Sequence, residues 1–284
     1  MTLPDFLFIG PDKTGSSWLY ELLRHHPQCY VPECKDIYFF DRHYERGMNW
    51  YGSFFGAAPA DARAIGELSH DYLFSEAAAE RIRRELPGVR LIASLRDPAE
   101  RTFSHYLYMI RSGRTRLPFE AALEKFPELI DNSLYHKHLS HYFERFEAAQ
   151  IKVLWFDDLK DNPRRFGEEC LDFLGLDRCH GFDYRTRVRE ASSPRSYWLA
   201  KTLKMGANLA RAMRMERLVG ALKHGLLARV LYRPYRKGEK PVLDAESRAR
   251  LDGIFESDIA RLERMLNVDL GHWQGRGDGA MCAS

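Results

Sequence analysis

Phe6-Leu7-Phe8-Ile9-Gly10-Pro11-Asp12-Lys13-Thr14-Gly15-Ser16-Ser17-Trp18-Leu19 runs from an apolar stretch through a tight turn into the start of a helical pattern. The continuous apolar run reads as a strand buried on both faces, which is the habit of parallel sheets. Gly10-Pro11 punctuates its end, and the pattern Ser16 to Arg24 reads as a helix closed by Pro27. Backbone N–H groups at such a helix N-terminus converge on an anion, and the helix dipole favours negative charge there. Lys13 adds a full positive charge, Gly15 permits close backbone approach, and Thr14, Ser16 and Ser17 offer hydroxyl donors. The segment is therefore a candidate phosphate cradle. It is not a Walker A loop, whose lysine follows the glycine directly, whereas here Lys13 precedes Gly15. A solvated turn holding the same residue types is the plain alternative.

Further apolar runs at Ala64 to Ile65, Val89 to Leu95 and Ile151 to Phe156 alternate with helical patterns. That alternation predicts an α/β fold of three layers, with a central, mostly parallel sheet covered by helices on both faces, as in P-loop-like proteins. Helices are predicted over Pro98 to Arg111, with Asp97 as N-cap, over Asn132 to Ala149, from Pro163 to near Gly175, and over Ala245 to Leu266. We read residues 1–273 as a single domain. It includes a basic helical insertion at about 192–234, near the C-terminus, and 274–284 is a flexible tail. Between Tyr197 and Val230 seven Lys or Arg face one Glu216, which fits a solvated cap or a face for an anionic membrane surface or amphipathic acceptor.

With 45% hydrophobic and 29% charged residues, the chain is neither of disordered nor of membrane composition. Its net charge of +3 does not announce a nucleic-acid partner. Five cysteines, with no C-x-x-C pair and no zinc spacing, read as reduced thiols of a cytoplasmic protein without a structural metal.

The second informative stretch is Leu91-Ile92-Ala93-Ser94-Leu95-Arg96-Asp97-Pro98-Ala99-Glu100-Arg101-Thr102-Phe103-Ser104. A buried strand delivers Arg96 to its carboxyl end, the usual ligand edge of an open α/β sheet. Ser104 follows two helical turns later, and an arginine fork with a hydroxyl suits a terminal phosphate. The plain alternative is Arg96 ion-paired with Asp97 or Glu100.

Together, the Lys13-Thr14-Gly15-Ser16-Ser17-Trp18 loop, Arg96 and Ser104 resemble the 5′-phosphosulfate loop and the 3′-phosphate motif of sulfotransferases that use 3′-phosphoadenosine 5′-phosphosulfate (PAPS). PECKDIYFFDRHYERGMNW (32–50), GELSHDYLF (66–74), LRDPAERTFSHY (95–106) and NSLYHKH (132–138) look like the heparan sulfate sulfotransferase branch and its bacterial relatives. The resemblance covers most of residues 5–176 and implies PAPS as co-substrate and a sulfuryl acceptor that is a saccharide, lipid or secondary metabolite. Transfer to a hydroxyl is expected ahead of an amine. It assigns Lys13 to Trp18 to the phosphosulfate, Arg96 and Ser104 to the 3′-phosphate, and Tyr135 to the neighbourhood of the nucleotide. Arg236-Lys237-Gly238 is similar to the family's late basic loop. By the same resemblance Lys13 is the electrostatic catalyst and needs no metal beside it. Asp36 takes the place of the branch's glutamate, and His70 stands where the small-molecule enzymes carry a histidine. Either is a candidate base. The branch's Glu-Lys-Thr-Pro is here Glu67-Leu68-Ser69-His70, without the lysine, which weighs against a heparan-type acceptor. A P-loop small-molecule kinase and a PAPS-binding protein without catalysis are the alternative readings.

Overall fold

The computed structural model describes residues 1–186, 192–194, 232–234 and 241–274. Of the basic insertion expected to be helical only the ends, 192–194 and 232–234, are described, and they are strands rather than helix; residues 195–231, Arg236, Lys237, Gly238 and the tail from residue 275 lie outside the described residues. Five strands, β1 (Phe6–Gly10), β2 (Cys29–Tyr30), β3 (Ala64–Leu68), β4 (Arg90–Leu95) and β5 (Ile151–Trp155), form one parallel sheet in the order β2-β3-β1-β4-β5. The expected three-layer α/β architecture is present. A short antiparallel pair, β6 (Ser192–Pro194) with β7 (Tyr232–Pro234), stands apart from it.

The central position of β1 explains its unbroken apolar run, because each of its residues is buried. Successive side chains point to opposite faces. Leu7 and Ile9 enter the core that holds Phe39, Tyr51 and Tyr72, while Phe6 and Phe8 enter the core of Trp18, Leu22 and Phe166.

The described helices are α1 (Ser16–His25), α2 (Phe39–Arg42), α3 (Gly47–Gly52), α4 (Glu76–Glu85), α5 (Pro98–Arg111), α6 (Phe119–Lys125), α7 (Glu128–Asp131), α8 (Tyr135–Phe143), α9 (Phe156–Asp161), α10 (Pro163–Phe173) and α11 (Ala245–Leu266). Asp97 caps α5 by accepting from the Glu100 N–H, and Asn162 caps α10 by accepting from Arg165. The predicted helix over Asn132 to Ala149 is shorter than expected. Asp131 to Leu134 form tight turns whose Ser133 hydroxyl is bound by Arg101, and the far end closes in a turn braced by the reciprocal Glu147 and Gln150 capping box. β3 extends beyond Ile65 because Glu67 is buried with its own donors, and β2 is too short for a periodic signal.

The chain leaves β1 toward β3 on one side, and β4 lies on its other side. The carboxyl ends of β1 and β4 thus flank the switch point of the sheet, where open α/β folds bind ligands.

Candidate active site

The loop between β1 and α1 is held open by its backbone. Gly10 has φ +128 and lies so close to β3's tail that a Cβ there would sit 2.1 Å from the His70 carbonyl oxygen. Gly10→Ala is expected to cost about 2 to 5 kcal/mol, since neither the left-handed backbone nor a neighbouring carbonyl can yield; a urea unfolding midpoint measures it. Lys13 (φ +68) and Gly15 (φ +95) continue the same unusual path. Gly15 precedes α1 with no side-chain cap, and the first turn of α1 carries no acidic residue, so its N–H groups and dipole remain available to an anion.

The side chains of the loop divide into two kinds. Thr14 is buried, donating its hydroxyl to the Pro11 carbonyl at 2.8 Å and accepting at its own carbonyl from Ser94 of β4 at 2.7 Å. Trp18 packs edge-on against Phe166 and Phe182. These two brace the loop through their side chains. Ser16 and Ser17 instead receive the Lys35 ammonium at 2.9 and 3.4 Å. The Lys13 ammonium lies 4.9 Å over the Tyr108 ring of α5. Burial pushes Lys13 down to about 8, with Asp12 opposing the shift and Arg111, Arg96 and Arg101 adding to it.

At the end of β4, Arg96 binds Glu100 through Nε and Nη2, and its Nη1 reaches the Lys13 carbonyl at 3.5 Å. The two expected anion sites therefore adjoin. Ser104 lies half-buried on α5. Tyr135 is buried, and its hydroxyl donates to the Arg96 carbonyl at 2.7 Å, which ties α8 to the end of β4.

Asp36 and His70, candidates for the same role in the sequence, form a pair. His70 Nδ1 donates to Asp36 Oδ1 at 2.8 Å. The Tyr38 hydroxyl lies 3.0 Å from His70 Nε2, and Asp71 3.4 Å from the same nitrogen. Burial pulls the imidazole down, but Asp36 and then Asp71 and Asp12 outweigh it, so His70 holds its proton above the usual histidine range. Asp36 (φ +66) and Tyr38 (φ +54) are fixed in left-handed conformations by bonds to β3's tail: Asp36 N–H to the Leu68 carbonyl, and Tyr38 N–H to the Ser69 hydroxyl. Left-handed non-glycine residues cost free energy that surrounding contacts must over-determine.

Residues 3–204 match the family described as the sulfotransferase domain. The chain belongs to that family. Human bifunctional heparan sulfate N-deacetylase/N-sulfotransferase 3 is 31% identical over 198 residues, covering 61% of this chain and 22% of that protein. Human heparan sulfate glucosamine 3-O-sulfotransferase 3B1 is 32% identical over 186 residues, covering 62% of this chain and 47% of that protein. The matched region thus spans less than half of these curated relatives. Among solved structures, a sulfotransferase from Alicyclobacillus acidocaldarius shares the fold with TM-score 0.72 at 22% identity, covering 96% of this chain and 100% of that one. A mouse sulfotransferase complexed with PAP shares it at TM-score 0.51 and 14% identity, covering 93% and 88%.

In this sulfotransferase domain several residues around the site were not singled out by sequence reasoning. Lys35 adjoins Asp36 in sequence, but only the fold carries its ammonium to α1. Arg101 is fully buried and binds Asp12 at 2.5 Å, Ser133 at 3.0 Å and His105 at 2.9 Å, fastening the loop to α5. Arg101→Met leaves the Asp12 carboxylate without this partner and is expected to destabilise the domain by about 3 to 5 kcal/mol. Chemical denaturation tests this, and the Asp12→Asn/Arg101→Met double variant should lose less than the sum of the single losses. Glu67, buried at the end of β3, accepts from Tyr51, Tyr72 and Ser69, and burial raises its carboxyl to about 7. Tyr51 and Phe55, for which the sequence favours core packing over a place in an acceptor cleft, are fully buried and pack the core. Among the described residues no group of three or more His, Cys, Asp or Glu is placed to hold a metal ion.

Proposed function

We propose that this chain transfers a sulfuryl group from PAPS directly to an acceptor hydroxyl, or less readily an amine, of a saccharide, lipid or secondary metabolite. The observation that carries the reading is the junction of two cationic corners at one sheet edge, the uncapped α1 start with Lys13 and the Arg96 fork touching the Lys13 carbonyl. The relatives' names include sulfotransfer to heparan sulfate, and a fold neighbour was solved with PAP. The first agrees with a saccharide among the acceptor classes, and the second with this donor.

In this reading Lys13 and the N–H groups of α1 hold the phosphosulfate, and Arg96 with Ser104 holds the 3′-phosphate. The acceptor oxygen attacks sulfur, and the bond from sulfur to the bridging oxygen of the 5′-phosphate breaks in line. The bond's electrons stay on that oxygen, where Lys13 meets the developing charge. The acceptor's proton passes to Asp36. His70 is the weaker acceptor because the two carboxylates beside it make it hold its own proton.

Incubation with labelled PAPS and fractionated acceptors should move label to an acceptor and release adenosine 3′,5′-bisphosphate; no transfer to any fraction would overturn the reading. Arg96→Ala should weaken bisphosphate binding by about 10- to 100-fold, as expected for a lost charge-assisted fork. Unchanged affinity by calorimetry would remove Arg96 from the 3′-phosphate site.

A further inference from the structure

The guanidinium assigned to the 3′-phosphate already has an anion on it. Glu100 Oε2 accepts from Arg96 Nε at 3.1 Å and from Nη2 at 2.8 Å, the edge a phosphate would grip with two bonds. The same oxygen accepts from Lys160 of α9 at 3.2 Å, and Lys160 also binds Asp157 at 2.8 Å. Phe156 forms the floor of this group, with Arg96 4.8 Å and Lys160 5.5 Å from its ring centre. The Arg96 side chain is 14% exposed, whereas those of Glu100 and Lys160 are 39% and 41% exposed. The arginine is therefore fixed beneath two side chains that have room to move.

A phosphate dianion reaching Arg96 must displace this carboxylate or lie beside it, and a like charge at contact distance opposes binding. Glu100 does not need Arg96 to remain paired, because Lys160 already holds the same oxygen. We propose that Glu100 and Lys160 form a counter-charge gate on the 3′-phosphate subsite. Glu100 competes for Arg96, and Lys160 keeps the carboxylate when phosphate takes the arginine. The inference rests on the 3′-phosphate assignment made above. Its consequence for turnover is a bisphosphate product held less tightly than Arg96 alone would hold it.

Calorimetry at fixed ionic strength tests the gate with two probes, adenosine 3′,5′-bisphosphate and adenosine 5′-monophosphate, which lacks the 3′-phosphate. Glu100→Gln keeps the shape and removes the charge. It should bind the bisphosphate about tenfold more tightly while leaving the monophosphate unchanged. Lys160→Ala should weaken the bisphosphate several-fold in the native background and much less in the Glu100→Gln background, because only the first contains a carboxylate to be taken over. If the native protein prefers the bisphosphate yet Glu100→Gln binds it equally or more weakly, Glu100 merely positions Arg96 and the gate is overturned. Equal losses from Lys160→Ala in both backgrounds also overturn it. A native protein that does not distinguish the two nucleotides overturns the 3′-phosphate assignment itself, and the gate with it.

Discussion

Asp36→Asn is expected to lower turnover by roughly 10²- to 10⁴-fold, the span usual for a lost general base, while leaving bisphosphate affinity nearly intact. The amide is isosteric but cannot take the acceptor's proton. It also replaces the carboxylate that His70 Nδ1 binds at 2.8 Å, so the ring loses its charge partner. His70→Gln should be milder, because it leaves the base in place and keeps a donor near Asp36, and costs only the positive charge that steadies the carboxylate. The pH dependence separates the two residues. With Asp36 as acceptor, turnover carries no rising limb that His70→Gln abolishes. With His70 as acceptor, the limb would lie above the ordinary histidine value, since Asp36 and Asp71 raise that group against the opposing effect of burial. A limb above 6.5 that His70→Gln abolishes, together with near-normal turnover in Asp36→Asn, would exchange the roles.

Lys13→Ala should reduce turnover by about 10²- to 10³-fold with a smaller change in donor affinity, because the ammonium serves charge that develops as the leaving oxygen departs. Lys13→Arg supplies a control through pH. Burial, followed by the neighbouring arginines, brings Lys13 down to about 8 against the pull of Asp12. Only its charged form is useful to the reaction, so kcat/KM for the donor should fall as pH rises through about 8. The arginine variant, which stays charged, should lack that limb even if its turnover is low. The stability contribution has the opposite sign. Between about 8 and the ordinary lysine value the unfolded chain binds more protons, so this group's contribution to stability rises with pH while activity falls. Parallel loss of both in that window would count against Lys13 as the titrating group.

The order of the sheet's strongest elements was legible because their residues obey local rules. The buried run of β1, the Asp97-Pro98 start of α5 and the amphipathic pattern of α11 each carry their own periodicity and punctuation, and the first turn of α1 shows its hydroxyl-rich composition directly. The start of α8 was less legible, since Ser133 leaves the helical path to meet Arg101, a partner distant in sequence. The same reason separates the parts of the site. Sequence alone determined that a lysine-bearing loop follows β1 and that an arginine ends β4, because each is encoded within one strand-to-helix turn. Only the tertiary structure decided that Asp36 and His70 are one pair, that Lys35 reaches Ser16, that Arg101 locks Asp12, and that Glu100 lies on Arg96 with Lys160 behind it. Most of these contacts join side chains from separate elements, whose distances are set by how helices pack on the twisted sheet and by no local pattern.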